Sequence, residues 1–177
     1  MEKKASSPVT IGLLIALVII AFSVVLNILT NDLKTQQKFG YVSFIVLIGG
    51  IIYACTNFAK ERNGNVTFGN VFGHGFKVSA VVTCIMVVFT ILSVTVLFPE
   101  MTEKGIEMAR EQMEEQGQLS ESQIDQSMEM ARKFMIPFAI GGTLIGYLAI
   151  GAIGSLIGAG VARKNPHPTP FESDNLI

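Results

Sequence analysis

PEMTEKGIEMAREQMEEQGQLSESQIDQSMEMARKFM, residues 99–135, is the stretch that decides how this chain folds. It is polar and acidic, with nine carboxylates against four basic side chains, and it separates two long apolar runs. Good helix formers dominate on both sides of Gly117, and apolar residues recur at intervals of three and four, the spacing of one helix face. We therefore predict two antiparallel helices that turn near Gly117.

Each predicted arm places its apolar residues along one face, so that the two arms can meet along a seam. In the second arm, Ser120 and Gln123 have the spacing of a capping box, which marks a helix start. The predicted seam consists of Ile106, Met113, Ile124, Met128 and Met135, with Ala109 and Ala131 beside them. Flexible methionine side chains suit such a packing seam, and Cu(I) binding is the alternative that thioethers allow. The carboxylates form either a solvated outer face or a surface for a basic partner protein or divalent cations.

Outside this stretch the chain is dominated by uncharged apolar runs: half of all residues are hydrophobic and 15% are charged. A helix of about 20 apolar residues crosses a hydrocarbon core roughly 30 Å thick. Four runs reach that length, at residues 9–29, 40–59, 78–98 and 135–162. We predict an all-α polytopic membrane protein with four transmembrane helices, of which the third and fourth extend into an extramembrane helical hairpin at residues 99–134. The whole chain is then one membrane domain, with a flexible tail at residues 163–177.

The first apolar run follows Lys3 and Lys4, as a signal peptide would. It is longer than the usual apolar core of a signal, and we interpret it as a retained helix. Residues 30–39 are predicted to form a short polar loop before the second helix.

Glycines four residues apart let membrane helices approach each other closely. Three such pairs are candidate helix-packing positions: Gly69 and Gly73, Gly142 and Gly146, Gly154 and Gly158. Another row of small residues consists of Gly151, Ser155 and Ala159. We expect the fourth helix to pack on the third and on either the first helix or a second copy of the chain. Packing within the chain and homodimerisation both remain open.

The most regular local pattern follows the second apolar run, where Phe68, Phe72 and Phe76 recur every fourth residue. This spacing aligns the three rings along one side of the start of the third helix. A similar phrase, matched here by Thr67, Phe68, Gly69, Phe72, Gly75 and Phe76, occurs in a bacterial family of four-helix integral membrane proteins known only as a domain of unknown function. The resemblance covers about residues 9–162 and includes the polar insertion before the last helix. It implies the four-helix fold in a bacterial inner membrane, and no activity or site.

Few side chains in the apolar runs carry catalytic or ligand chemistry. Cys55 and Cys84 each stand alone, and His74 is far in sequence from the other histidine, His167. Metal sites and catalytic centres need several convergent groups, so we expect no metal, no cofactor and no enzyme activity. We interpret His74 as an interfacial residue rather than a proton relay. The net charge of −1 argues against nucleic acid as a partner.

Two classes of function follow from these observations. The one we favour is a non-enzymatic scaffold or accessory subunit whose hairpin contacts a partner protein. The alternative is a small oligomeric transporter or channel, its path lined by Asn27, Asn57, His74 and the hydroxyls of the third helix. No charged residue lies in the middle of an apolar run, where proton relays and ion pathways have them, and this disfavours a coupled pump.

An even number of spans places both termini on the same side of the membrane. Basic residues are denser around the termini and the second loop than in the other two loops, because four of the opposing charges are spread over the long acidic segment. We expect a multi-pass protein of the cell membrane with cytoplasmic termini and the hairpin outside.

Overall fold

The computed structural model describes residues 7–30, 33–117 and 120–163, and within these ranges the chain is helical and has no strand. Five α-helices follow one another: α1 Pro8–Leu29, α2 Leu33–Glu61, α3 Phe68–Leu92, α4 Pro99–Gln116 and α5 Glu121–Arg163. A π-helical segment, Ser93–Leu97, continues α3. The predicted all-α fold is confirmed. The predicted flexible tail lies outside the described residues, apart from Arg163 at the end of α5.

Four stretches of these helices are long and apolar enough to cross a membrane: Pro8–Leu29, Gly40–Glu61, Phe68–Leu97 and Glu121–Ala162. Most of their side chains are not covered by the rest of the chain; Ile28 and Phe138, for example, are 72% and 74% exposed. Large apolar side chains exposed in such number are unfavourable in water and favourable in lipid. The chain is therefore a multi-pass membrane protein, which confirms the prediction from the apolar runs.

Local chemistry sets the starts of the spans and the turn between the second and third. Pro8 occupies the first turn of α1, where its missing N–H costs nothing. At the start of α3 the Thr67 hydroxyl accepts a hydrogen bond from the Asn70 N–H at 3.3 Å. Between α2 and α3, Asn63 and Gly64 have φ of 53° and 74°, values that Asn and Gly tolerate best. The chain can therefore reverse direction within a few residues.

The connection between α1 and α2 is shorter than predicted. The sequence predicts a loop at residues 30–39, whereas α2 already begins at Leu33. This prediction is wrong because most residues of the segment, among them leucine, lysine and glutamine, are good helix formers and continue the helix into water. The apolar part of α2 begins at Gly40.

The hairpin is joined to the bundle differently at its two ends. Its second arm is continuous with the last span, because α5 runs without interruption through Pro137. Its first arm is a separate helix, since Phe98 leaves helical geometry at φ −138° and ψ 54° and α4 begins at Pro99. Immediately before this joint the Phe98 N–H donates to the Ser93 carbonyl at 2.9 Å, a bond across five residues that is typical of a π-helix.

The central pair of the bundle is α2 and α3. Each of these helices packs against the other and against both α1 and α5, so that α1 and α5 lie on opposite sides of the pair. The most extensive contact joins α3 to α5. Within the chain the second neighbour of α5 is α2. Of the two expected alternatives, the first helix is wrong, and a second copy of the chain stays a prediction. The small residues at 151–159 explain the difference, because they let α5 approach α2 closely.

The bundle is tightly packed only at the end far from the hairpin. Buried residues extend along α1 as far as Ile19 and along α3 as far as Met86. Along α5 the buried residues of the bundle begin at Gly151, more than two turns after Thr143. The helices therefore diverge toward the hairpin end, where they leave a cleft.

Candidate functional site

The hairpin has its own small hydrophobic core. Ile106 from α4 and Ile124 and Met128 from α5 are buried there, and Ile124 is only 3% exposed. Partly buried residues pack around them: Ala109, Met113 and Met135. The structure thus brings all five predicted seam residues into one cluster, separate from the core of the bundle.

The turn of the hairpin explains how the two arms are placed. Gly117 ends α4 in the left-handed conformation at φ 61°, and its N–H donates to the Glu114 carbonyl at 3.1 Å. At the start of α5 the Ser120 N–H donates to Gln123 Oε1 at 2.9 Å, which is one half of the predicted capping box. The Ser120 hydroxyl also donates to Gln123 Oε1, at 3.1 Å, instead of accepting from the backbone.

Ion pairs tie the two arms together across the seam. Arg110 lies 3.0 Å from Asp125, and Arg132 lies 2.9 Å from Glu103. Arg110 also donates to Glu114 within α4 at 2.8 Å. The hydrogen bond to Glu114 and the charge of Asp125 raise the pKa of the Arg110 guanidinium. Exposed pairs of this kind are screened by solvent and contribute little, so they fix the register of the arms more than they stabilise the hairpin.

One face of α4 is almost entirely acidic. At 100° per residue its six carboxylates fall within an arc of roughly 120°, centred opposite the seam. They are Glu100, Glu103, Glu107, Glu111, Glu114 and Glu115, and all are exposed. The seam thus orients a ridge of negative charge toward the outside of the hairpin, and only Glu103, at the edge of the ridge, pairs with the second arm, through Arg132.

A cleft of about 580 Å³, lined by both polar and apolar side chains, opens between the diverging helices at the hairpin end of the bundle. Side chains from all four spans line it: Ser23 and Asn27 from α1, Tyr41, Ser43 and Phe44 from α2, Met86, Phe89, Thr90, Ser93 and Val94 from α3 and its π-helical segment, and Thr143 and Tyr147 from α5, together with Gly40. None of the described residues that line it is charged. Its chemistry is therefore that of hydroxyls, one amide, and aromatic and apolar surface.

Hydrogen bonds across and within the cleft hold some of these groups in place. The Thr90 and Thr143 hydroxyls lie 3.1 Å apart and join α3 to α5. Asn27 Nδ2 donates to the Ser23 carbonyl at 2.8 Å, which leaves the amide oxygen without a partner in the described part of the chain. The hydroxyls of Ser43 and Ser93 likewise have no hydrogen bond to any described residue. The cleft therefore presents unused donors and acceptors, as ligand sites do.

The predicted helix-packing glycines differ in what surrounds them. An added methyl at Gly158 would lie 2.8 Å from Cys55 Cβ of α2, and one at Gly154 would lie 3.5 Å from Ile51 Cβ. The other four, Gly69, Gly73, Gly142 and Gly146, have no atom of the described chain within 4 Å of such a methyl. These four do not form close helix contacts within the chain.

Close packing depends instead on four glycines that the search for four-residue pairs missed. A methyl at any of these positions would come within 3.0 Å of a neighbouring helix: Gly12 and Gly50 at the contacts of α1, and Gly75 and Gly151 at the contacts of α3 with α2 and α5. Gly151 belongs to the row of small residues with Ser155 and Ala159, both fully buried. That row was the available signal for α5. Gly12 and Gly50 have no second glycine four residues away, but each has a buried alanine there, Ala16 and Ala54, so the same spacing of small residues could have found them.

At the far end of the bundle the His74 side chain is buried between helices. Its ring stacks on Phe58 with centroids 4.2 Å apart, and the Arg62 guanidinium lies 4.7 Å from the same Phe58 ring. Its Nε2 has no hydrogen-bond partner among the described residues. In the described ranges no three His, Cys, Asp or Glu side chains come together in an arrangement that would hold a metal ion.

Comparison with known proteins gives one result. Residues 10–164 match the model of a family described as Protein of unknown function (DUF4199). The chain belongs to this family. No curated protein and no solved structure matches the chain.

The Phe-Gly phrase at the start of α3 has a structural role in this family member. Thr67 caps α3, and Phe72 and Phe76 stack with ring centroids 5.9 Å apart. Gly75 lies directly against Cys55 of α2 and Ser155 of α5. The phrase therefore brings three spans together at the packed end of the bundle, opposite the cleft and the hairpin.

Proposed function

We propose that this protein is a non-enzymatic membrane scaffold or accessory subunit that uses its helical hairpin to contact a partner protein. The observation that carries the proposal is the separate hydrophobic core of the hairpin, which orients the acidic ridge of α4 independently of the bundle. A surface that keeps its shape loses little conformational entropy on binding.

The partner is expected to present basic side chains. Four carboxylates of the ridge, Glu100, Glu107, Glu111 and Glu115, take no part in the ion pairs of the hairpin described above and attract arginine and lysine. Such charge complementarity increases association rate and specificity more than affinity. The contact should therefore weaken at high salt, where charges further apart than about 8–10 Å are screened.

The test is site-specific photocrosslinking in intact cells from position 104, a lysine that lies among the carboxylates of the ridge, with Ile145→benzoylphenylalanine as a lipid-facing comparison. We expect one defined polypeptide to be crosslinked from the hairpin. The product should be lost in the triple variant Glu107→Gln, Glu111→Gln, Glu115→Gln, which keeps the seam. A matched triple variant of exposed neutral residues, Gln112→Ala, Gln116→Ala, Gln126→Ala, should retain it. A partner that remains bound after deletion of residues 101–133 refutes the proposal.

The cleft favours a transporter or channel as the second candidate function. It brings Asn27 together with the Thr90 and Ser93 hydroxyls of the predicted path. Asn57 and His74 lie at the other end, on the far side of the tightly packed core, so the cleft would serve one side of the membrane. The test is the flux of neutral polar solutes into vesicles that contain the protein. A flux that Asn27→Leu abolishes and Asn57→Leu preserves would support this candidate, and a flux no greater than that of empty vesicles would exclude it.

We also propose that the termini are cytoplasmic and the hairpin lies outside. The distribution of basic residues supports this orientation. In a cysteine-free chain, a cysteine introduced at Gly117 should react with an impermeant thiol reagent in intact cells, and one introduced at Arg62 should react only after the cells are opened. The reverse pattern would invert the orientation.

A further inference from the structure

We propose that the cleft at the hairpin end is a lipid site, which holds an uncharged, hydroxyl-bearing headgroup while an acyl chain lies in an adjoining groove between α1 and α3. This inference is independent of the function proposed for the hairpin.

The first step is the chemistry of the cleft. Hydroxyl and amide groups with unused hydrogen-bonding capacity, such as those of Asn27, Ser43 and Ser93, both donate and accept. They complement sugar or glycerol hydroxyls and ester carbonyls. A phosphate brought into the cleft would meet no cation among the described lining residues, and an uncompensated charge is costly to desolvate.

The second step is the groove beside the cleft. It has a volume of about 410 Å³ and is lined by Ile20, Cys84, Ile85, Val88, Phe89 and Leu92, with no polar surface. Phe89 lines both the groove and the cleft, so the two spaces are neighbours. A cleft with polar groups beside an apolar groove fits an amphiphile, with its head in the first and its chain in the second.

The third step is depth in the membrane. Asn27 lies two residues before the end of α1 at Leu29, about 3 Å along the axis, and Gly40 is the first residue of the α2 span. The cleft is thus close to one end of the hydrocarbon layer, where the headgroup and glycerol of a bilayer lipid lie. The groove extends from there toward the bilayer centre, because Cys84 lies about 14 Å before Ser93 on α3.

The chain contains a reporter for this site. Cys84 lines the groove and is exposed, whereas Cys55 is fully buried in the bundle. An acyl chain in the groove should shield the Cys84 thiol from a small alkylating reagent, and Cys55 should stay unreactive while the bundle is folded.

The experiment measures the alkylation rate of Cys84 in the full chain, purified in a zwitterionic detergent that has no sugar headgroup. Three probes are titrated: monoglucosyl dioleoylglycerol, dioleoyl phosphatidylglycerol with the same chains, and free glucose. We expect the neutral glycolipid to slow alkylation about ten-fold and the other two to slow it less than about two-fold. Equal protection by the anionic lipid, or no protection by any lipid, would overturn the proposal.

Variants locate the headgroup. Asn27→Leu and Ser93→Ala should each raise the glycolipid concentration needed for protection about five-fold, the effect of one lost hydrogen bond. Thr95→Val is the matched control, because the exposed Thr95 hydroxyl already donates to the Ile91 carbonyl at 2.7 Å and does not line the cleft. Unreactive Cys55 shows that each variant is folded. Protection that is unchanged in both cleft variants would place the headgroup elsewhere and refute the assignment.

Discussion

Replacement of Gly151 by alanine tests whether the contact of α5 with α3 depends on the absence of a side chain. The added methyl would lie 2.5 Å from Ser79 Cβ, well inside the 3.5–4.0 Å at which carbon atoms normally meet. Ser79 is fully buried, and its Cβ is fixed by the α3 backbone, so rotation of the hydroxyl cannot relieve the overlap. The helices must separate, which also loosens the neighbouring contact of Ser79 Oγ with the Tyr147 carbonyl at 3.3 Å.

Two opposing effects set the magnitude. Overpacking of a tight core costs about 1–3 kcal/mol, and alanine is favoured over glycine in a helix by about 1 kcal/mol. The net loss in free energy of unfolding is therefore about 0–2 kcal/mol, and the loss relative to an unobstructed Gly→Ala exchange is about 1–3 kcal/mol. For a chain of this length, about 2–4 °C of melting temperature corresponds to each kcal/mol, so we expect Gly151→Ala to melt up to about 8 °C below the reference protein.

The assay uses Cys55, which is buried in the folded bundle. In a Cys84→Ala background, a fluorogenic thiol dye reacts with Cys55 as the detergent-solubilised protein unfolds on heating. Gly142→Ala is the matched control in the same helix, because nothing lies within 4 Å of its added methyl, and it should melt at or above the reference temperature. Adding Ser79→Gly to Gly151→Ala removes the opposing Cβ and should recover part of the loss. Equal melting of the Gly151→Ala and Gly142→Ala variants, or a strictly additive double variant, would refute the reasoning.

Three further predictions concern the hairpin and the outer face of α5. Ile124→Ala truncates a side chain that is 3% exposed and should destabilise the hairpin alone by about 1–3 kcal/mol. Protease cleavage near residue 117 should therefore become faster, while the melting temperature reported by the Cys55 thiol stays the same. Gln126→Ala is the exposed control, and equal cleavage of the two variants would contradict a packed seam. Because its partners raise the pKa of the Arg110 guanidinium above its ordinary value, the stabilisation from its charge is complete below that ordinary value and is lost only above it. Hydrogen exchange of the hairpin, corrected for the intrinsic rate, should therefore not change between about pH 7 and 10, and loosening within that range would contradict persistent charge pairing. Homodimerisation, which the sequence leaves open, would use Gly142 and Gly146, because they have open space around them. Gly146→Leu should then abolish a crosslinked dimer, whereas Val161→Leu, at another exposed position of α5, should leave it intact, and an undiminished dimer would assign the contact elsewhere.

The amino-acid sequence was sufficient to determine the helices and the hairpin seam, because both depend on local periodicity. Uncharged runs define the spans by length alone. In the hairpin, apolar residues three and four apart must share a face, so Ile106, Ile124 and Met128 could be paired without knowledge of the rest of the chain. The incorrect prediction of a loop at residues 30–39 also came from reading local patterns. Apolar runs mark the part of a helix that lies in the membrane, and a helix such as α2 can begin before its apolar run.

Only the tertiary structure decided which small residues make contacts and where the bundle opens. Gly142 and Gly151 look alike in sequence, and they differ because the rotation of α5 directs one toward Ser79 and the other away from the chain. The cleft contains single polar residues from four helices, and no period along the chain connects Asn27 with Ser43 and Thr143. The sequence of residues 99–135 predicted the hairpin. The break in the helix at Phe98 and the divergence of the four spans next to the hairpin depend instead on how the helices pack together, which local spacing does not encode.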